Sequence, residues 1–191
     1  MAISTYGEFK TAIATWLNRT DLTDNLGDIV TMAEASIRRD VRIRAMQQTA
    51  SGTLSAATLA LPTRFAEARR VLLADVVQQY VTPDQWYSRR NNADEQYTIV
   101  GETFHFQSTS ATYQIDYWQW FAAFSGTSDT NTLLTNYPDV YLFAGLAAAM
   151  DLLQGDSSKW EAKYRAAVAR VHAAENKMAG PLVVRPDIRV A

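Results

Sequence analysis

Apolar residues recur every three to four positions through three stretches of the chain, and each stretch predicts an amphipathic helix. Between Asp21 and Met46 the stripe is Leu26, Val30, Ala33, Ile37 and Val41, with Arg38, Arg39 and Arg42 on the other side, so a helix is expected over 25–46. Phe9, Ile13 and Trp16 predict a helix over 5–18, opened by Thr5 and Glu8 at capping-box spacing. The third, over 158–178, carries a core stripe of Trp160, Tyr164, Ala167, Val171 and Met178, with Ser158 and Glu161 expected to cap it. Almost opposite lie Ala162, Ala166, Ala169 and Ala173, a smooth face that lets another helix approach closely. Pro138 to Leu153 is apolar on nearly every side, which places a helix over 138–153 in the centre of the packing, with Gly155 expected to cap it. Thr82 followed by Pro83 predicts a short helix over 83–91.

Alternation with period two is confined to the middle of the chain. Tyr97 to Val100 and Thr103 to Gln107 flank Gly101-Glu102, a turn that closes a β-hairpin. A third strand follows over Thr112 to Phe121, with Tyr113, Ile115, Tyr117 and Phe121 on one face and Gln114, Asp116, Trp118 and Trp120 on the other. Gln47 to Leu61, rich in Thr, Ser, Ala and Gly, reads as a loop or a loosely specified strand pair, and PTRFAEARRVLL after it fits neither period. The expected fold class is mainly α with a small antiparallel β part: a helical bundle in a single domain over 1–179, with a β-hairpin or short sheet at about 97–121. Pro181 and Pro186 keep 180–191 from helix, giving an extended arm. Its Leu182, Val183, Val184, Ile188 and Val190 call for a surface to lie on, either its own domain or a neighbour's.

Composition narrows the function classes. A chain of 191 residues, 48% hydrophobic and 20% charged, is large enough to bury a core without metal or disulfide, and it has no cysteine. The N-terminus lacks the pattern of a secretory signal, and the longest apolar run, about 14 residues, is shorter than the roughly 18 a membrane span needs, so a soluble protein with no membrane partner is expected. A net charge of −2 argues against a dedicated nucleic-acid binder.

Candidate chemistry is sparse. His105 and His172 stand in no metal-binding spacing, no GxSxG or SxxK motif occurs, and the eight glycines form no phosphate loop, so no catalytic residue, cofactor or metal is expected. Glu67, Glu102 and Asp116 are the acids that would have to meet for glycosidase-like chemistry. Glu34–Arg38 and Asp40–Arg44, each spaced i,i+4, neutralise part of the basic cluster within its own helix. That leaves Arg38, Arg39 and Arg42 as a solvated face or an ionic protein interface. Trp118 and Trp120, on the polar side of their strand, require cover from this chain or from a partner.

Taken in order, several segments resemble the head-to-tail adaptor (connector) proteins of tailed phages, related to the tail-tubular adaptors of short-tailed viruses. They are WLNRTDLT, MAEASIRRDVRIRAM, LPTRFAEARRV, VTPDQW, YWQWF and TLLTNYPDVYLFAGLAAAMDLL, spread over nearly the whole chain. The resemblance implies a non-enzymatic structural protein at the virion head-tail junction. It would form a homo-oligomeric, commonly dodecameric ring between the portal protein and the tail or nozzle proteins, with double-stranded DNA passing through without sequence-specific binding. On that footing Leu182, Val183, Val184, Arg185 and Ile188 form a portal-docking arm. Glu102, Phe104, Trp118 and Trp120 become tail-side contacts, and Arg38, Arg39, Arg42, Ala162, Ala166, Ala169 and Ala173 a subunit interface. The competing expectations are a virion-associated cell-wall hydrolase built on carboxylates, and a DNA-packaging accessory protein.

Overall fold

The structure, a computed structural model, describes residues 3–88 and 95–178. In chain order its helices are α1 (Tyr6–Leu17), α2 (Leu26–Asp40), α3 (Pro83–Ser88), α4 (Thr132–Asn136), α5 (Pro138–Leu152) and α6 (Ser158–Met178). Its strands are β1 (Gln47–Thr53), β2 (Thr58–Ala60), β3 (Phe65–Leu73), β4 (Val76–Val77), β5 (Gln79–Tyr80), β6 (Gln96–Val100), β7 (Thr103–Phe106) and β8 (Thr112–Gln119). These elements fall into two compact units: a helical one, Met1–Ala45 with Ala123–Ala191, and a β-rich one, Met46–Ala122, inserted into it.

In the helical unit α5 packs against α1, α2 and α6, which is why no side of it is polar. Leu26, Val30, Ala33, Ile37 and Val41 are all buried, as the stripe requires. The Thr5 side chain accepts from the Glu8 N–H while the Glu8 carboxylate accepts from the Thr5 N–H, a complete capping box at the head of α1. Gly145 lets α1 and α5 meet, because a Cβ there would stand 2.7 Å from Ile13 Cδ1 and 2.9 Å from Phe9 Cζ.

The helix expected over 25–46 stops at Asp40. Val41 takes extended backbone (φ −109, ψ 130), and β1 begins six residues further on, at Gln47. The cap on α5 also differs from expectation: Gln154, not Gly155, holds the left-handed conformation (φ 54), and the Gly155 N–H donates to the Met150 carbonyl in a Schellman closure. At the head of α6 the Ser157 hydroxyl, one residue before the expected cap, donates to Glu161, and Asp156 accepts from the Ser158 N–H.

The small β part of the sequence reading is replaced by two four-stranded sheets, ordered β1-β8-β3-β4 and β2-β7-β6-β5, so the fold is not a mainly helical bundle with a hairpin. About 47% of the described residues are helical and 24% lie in strands. All pairings are antiparallel except β5 with β6. Residues from both sheets share one core: Val71, Leu73, Ile115 and Tyr117 from the first, and Tyr97, Phe104 and Phe106 from the second. Phe65 joins them, edge-on to Phe104 at 5.6 Å and stacked on Tyr117 at 5.7 Å. Gly101, at φ 59, makes the tight β6–β7 turn. The expected helix over 83–91 covers 83–88 among the described residues.

Candidate functional site

Arginines on α2 and just beyond it divide by partner. Arg38 stands 4.0 Å from Glu34, Arg39 Nη2 donates to Ser36 Oγ at 3.0 Å, and both side chains lie at the surface. Arg42 Nη1 donates to the carbonyls of Arg38 (2.7 Å) and Val41 (2.8 Å), covering acceptors that the helix end leaves open. Arg44 does not pair with Asp40 as i,i+4 spacing suggested, since α2 ends between them. Its backbone N–H and guanidinium reach Glu175 of α6 instead, and Asp40 accepts the Tyr164 hydroxyl at 3.0 Å. Part of the basic cluster therefore ties the helical unit together, and Arg38 and Arg39 remain facing out.

The i,i+4 spacing marks Glu34 only as a charge partner of Arg38, and its burial carries no sequence signal. It is 9% exposed, and its Oε1 accepts the Phe124 N–H at 3.2 Å, where the chain re-enters the helical unit. Burial pushes its carboxyl up, opposed by that hydrogen bond and by Arg38.

On α6, Ala162, Ala166, Ala169 and Ala173 are exposed, while Tyr164, Ala167, Val168 and Val171 are buried. A second surface feature escaped the sequence reading, which assigned both of its tryptophans to core stripes. Trp16, Phe143 and Trp160 gather with centroids 5.9–6.3 Å apart, and Lys163 Nζ lies 5.0–6.0 Å from all three rings. Trp16 is 51% exposed.

In the β unit the expected tail-side residues differ in exposure. Glu102 is exposed at the β6–β7 turn, and its carbonyl accepts the Leu61 N–H at 2.9 Å. Phe104, a tail-side contact only by what the resemblance implies, is fully buried in the shared core, so it cannot itself touch a partner. Trp118 is half-buried on β8 beneath the Arg69 guanidinium, 5.1 Å from its ring centre. Trp120 is half-buried too, its backbone N–H donating to the Arg64 carbonyl.

Asp116, on the open face of β8, accepts from Thr49 Oγ1 (2.7 Å), Arg70 Nε (2.9 Å) and Gln114 Nε2 (3.3 Å). These bonds, Thr49's foremost, hold its carboxyl below the usual carboxylate range. Glu67 sits opposite Trp118 in the β3–β8 register. His105 and His172 are half-buried on β7 and α6, and among the described residues no group of three or more His, Asp or Glu could hold a metal ion. Nor is any described helix long and apolar enough to cross a membrane. Leu182, Val183, Val184, Arg185 and Ile188 lie outside the described residues.

The described residues present outward arginines on α2, an alanine face and an aromatic cluster on the helical unit, and a polar network on one sheet. Compared with known families, residues 4–185 match the family model described as SU10 adaptor protein. No curated protein matches the sequence.

Proposed function

The chain belongs to the SU10 adaptor protein family, a phage head-to-tail adaptor family, and from that premise we propose that it assembles into a ring joining the portal to the tail, with double-stranded DNA passing through. The family match over 4–185, almost the whole chain, carries this reading. Membership makes the protein a structural component of a phage virion, at the head-tail junction.

Ring assembly accounts for surfaces that a monomer leaves open. The alanine face of α6 with Arg38 and Arg39 of α2 supplies one side of a subunit contact, and a head-to-tail contact of two different faces closes into a ring. Glu102, Trp118 and Trp120 of the β unit are offered to the tail, and the segment from Leu182 to Ile188 to the portal. A net charge of −2 suits a channel that must release DNA, because many phosphate contacts would hold it.

Asp116 bears on the hydrolase alternative. A general acid needs a carboxyl shielded from water and raised, whereas Asp116 is lowered by three donors. The test is native mass measurement of the chain alone and with purified portal rings. Joining the ring in a fixed number of copies is the expected result, and no association at micromolar concentration would overturn the proposal.

A further inference from the structure

A groove of about 460 Å³ runs across α2, α5 and α6 of the helical unit. Ala144 and Ala148 of α5 line it, with Met32 of α2 and Leu152 beside them. Met32 is 63% exposed and Leu152 48%, so two large apolar side chains border a recess lined by small ones. Such a patch gains from being covered. Charged residues complete the lining: Arg39 and Asp40 from α2, the latter accepting the Tyr164 hydroxyl, Asp151 from α5, and Glu161 and Arg165, themselves paired at 3.2 Å, from α6, so acids outnumber bases three to two.

Residues beyond α6 have the matching chemistry. Residues 182–190, Leu-Val-Val-Arg-Pro-Asp-Ile-Arg-Val, alternate an apolar content with Arg185, Asp187 and Arg189, and proline on either side of Leu182–Arg185 disfavours helix. Length fits as well. From Met178 back to Arg165, α6 runs about 20 Å at 1.5 Å per residue. An extended chain reversing at Gly180-Pro181 would cover about 20 Å in the six steps from Leu182 to Ile188. Ile188 would then reach the level of Glu161 and Arg165, with Arg189 near Asp151 and Glu161 and Asp187 near Arg165.

We propose that this groove is the docking site for the chain's own segment Leu182–Val190, with Ile188 against Met32 and Leu152. Tethering raises the local concentration of the segment to about the millimolar range, so even a weak contact keeps it seated. A docked segment is shielded until a competing surface takes it. The assignment stands apart from the head-to-tail reading, since it needs neither portal nor ring.

Limited trypsin digestion of the full chain tests it. Arg185 precedes proline and resists cleavage, so loss of Val190-Ala191, read by mass, reports Arg189. Docking predicts cleavage after Arg189 at least about tenfold slower than in a free peptide of residues 179–191, and unchanged over about a hundredfold range of protein concentration. Met32→Asp, at an exposed position that folding tolerates, restores the peptide rate, as does Asp151→Arg in part. Methyl NMR gives a second readout: Ile188→Asp moves the Met32 resonance. Cleavage as fast as in the free peptide, or a Met32 methyl unmoved by Ile188→Asp, overturns the proposal. Protection that grows with concentration overturns it in favour of a neighbour's groove.

Discussion

Gly145→Ala tests whether the close approach of α1 and α5 governs the helical unit. The added methyl would sit 2.7 Å from Ile13 Cδ1 and 2.9 Å from Phe9 Cζ, the tips of two fully buried side chains that must shift within a packed core to admit it. Overpacking of this kind costs about 1–3 kcal/mol, while alanine returns about 1 kcal/mol of helix propensity. Gly27→Ala is the control: it lies on α2 with nothing within 4 Å of the new Cβ, so only the propensity gain applies. The difference between the two variants isolates the packing cost. With a urea slope of about 2 kcal/mol/M, midpoints followed at 222 nm should separate by about 0.5–1.5 M, Gly27→Ala above the parent and Gly145→Ala below Gly27→Ala. Equal stabilisation by both substitutions would refute the argument, because the contact at Gly145 would then exert no constraint.

Asp116→Ala removes an acceptor from Thr49, Arg70 and Gln114 and should lower the stability of the β unit by about 1 kcal/mol at pH 7, read from hydrogen exchange of β8 amides. Because the folded carboxyl is lowered, its contribution is present above about pH 4 and disappears as pH falls, so the variant and the parent should converge in acid; a loss independent of pH would count against this. Glu34→Gln has the opposite sign. A raised carboxyl favours the folded state below its unfolded value of about 4 and loses that advantage as pH rises through the folded one, so Gln, which still accepts the Phe124 N–H, should be at least as stable as Glu at pH 7. That margin should shrink toward pH 4 in denaturation series, and a margin that widens in acid would contradict the burial argument.

Helices were legible in the sequence where one face is buried and the other wet. The α2 stripe from Leu26 to Val41 and the Thr5–Glu8 box both reflect local chemistry that needs no knowledge of distant residues. Much of the β unit was not legible, for identifiable reasons. β1, QQTASGT, pairs on one side only and is exposed at every residue except Ala50, so it shows no apolar alternation. In β3 the register shifts between Phe65 and Glu67 and between Ala68 and Arg70 break the period of two. Gly101 marked the β6–β7 turn clearly, whereas Gln154 took a left-handed position that glycine would have signalled. Among candidate site residues, the exposed alanines of α6 followed from helical period. Arg44 pairs with Glu175 and not with Asp40 because α2 ends at Asp40, and Phe104, which the resemblance implies as a contact, is a core residue of β7.

The insertion of the β unit between Ala45 and Ala123 orders the events of folding. Strands β1 to β8 form a continuous stretch, so that unit is complete as soon as Ala122 has left the ribosome. The helical unit must wait, because α2 rests on α5, and α5 follows the whole β unit in the chain. Until then Leu26, Val30 and Ile37 have no partner helix. Prior folding of the β unit would replace a flexible excursion of dozens of residues by a compact body, reducing a closure cost that grows as the logarithm of loop length. Mutations that slow the sheets should therefore delay the helices, even where they touch no helical residue.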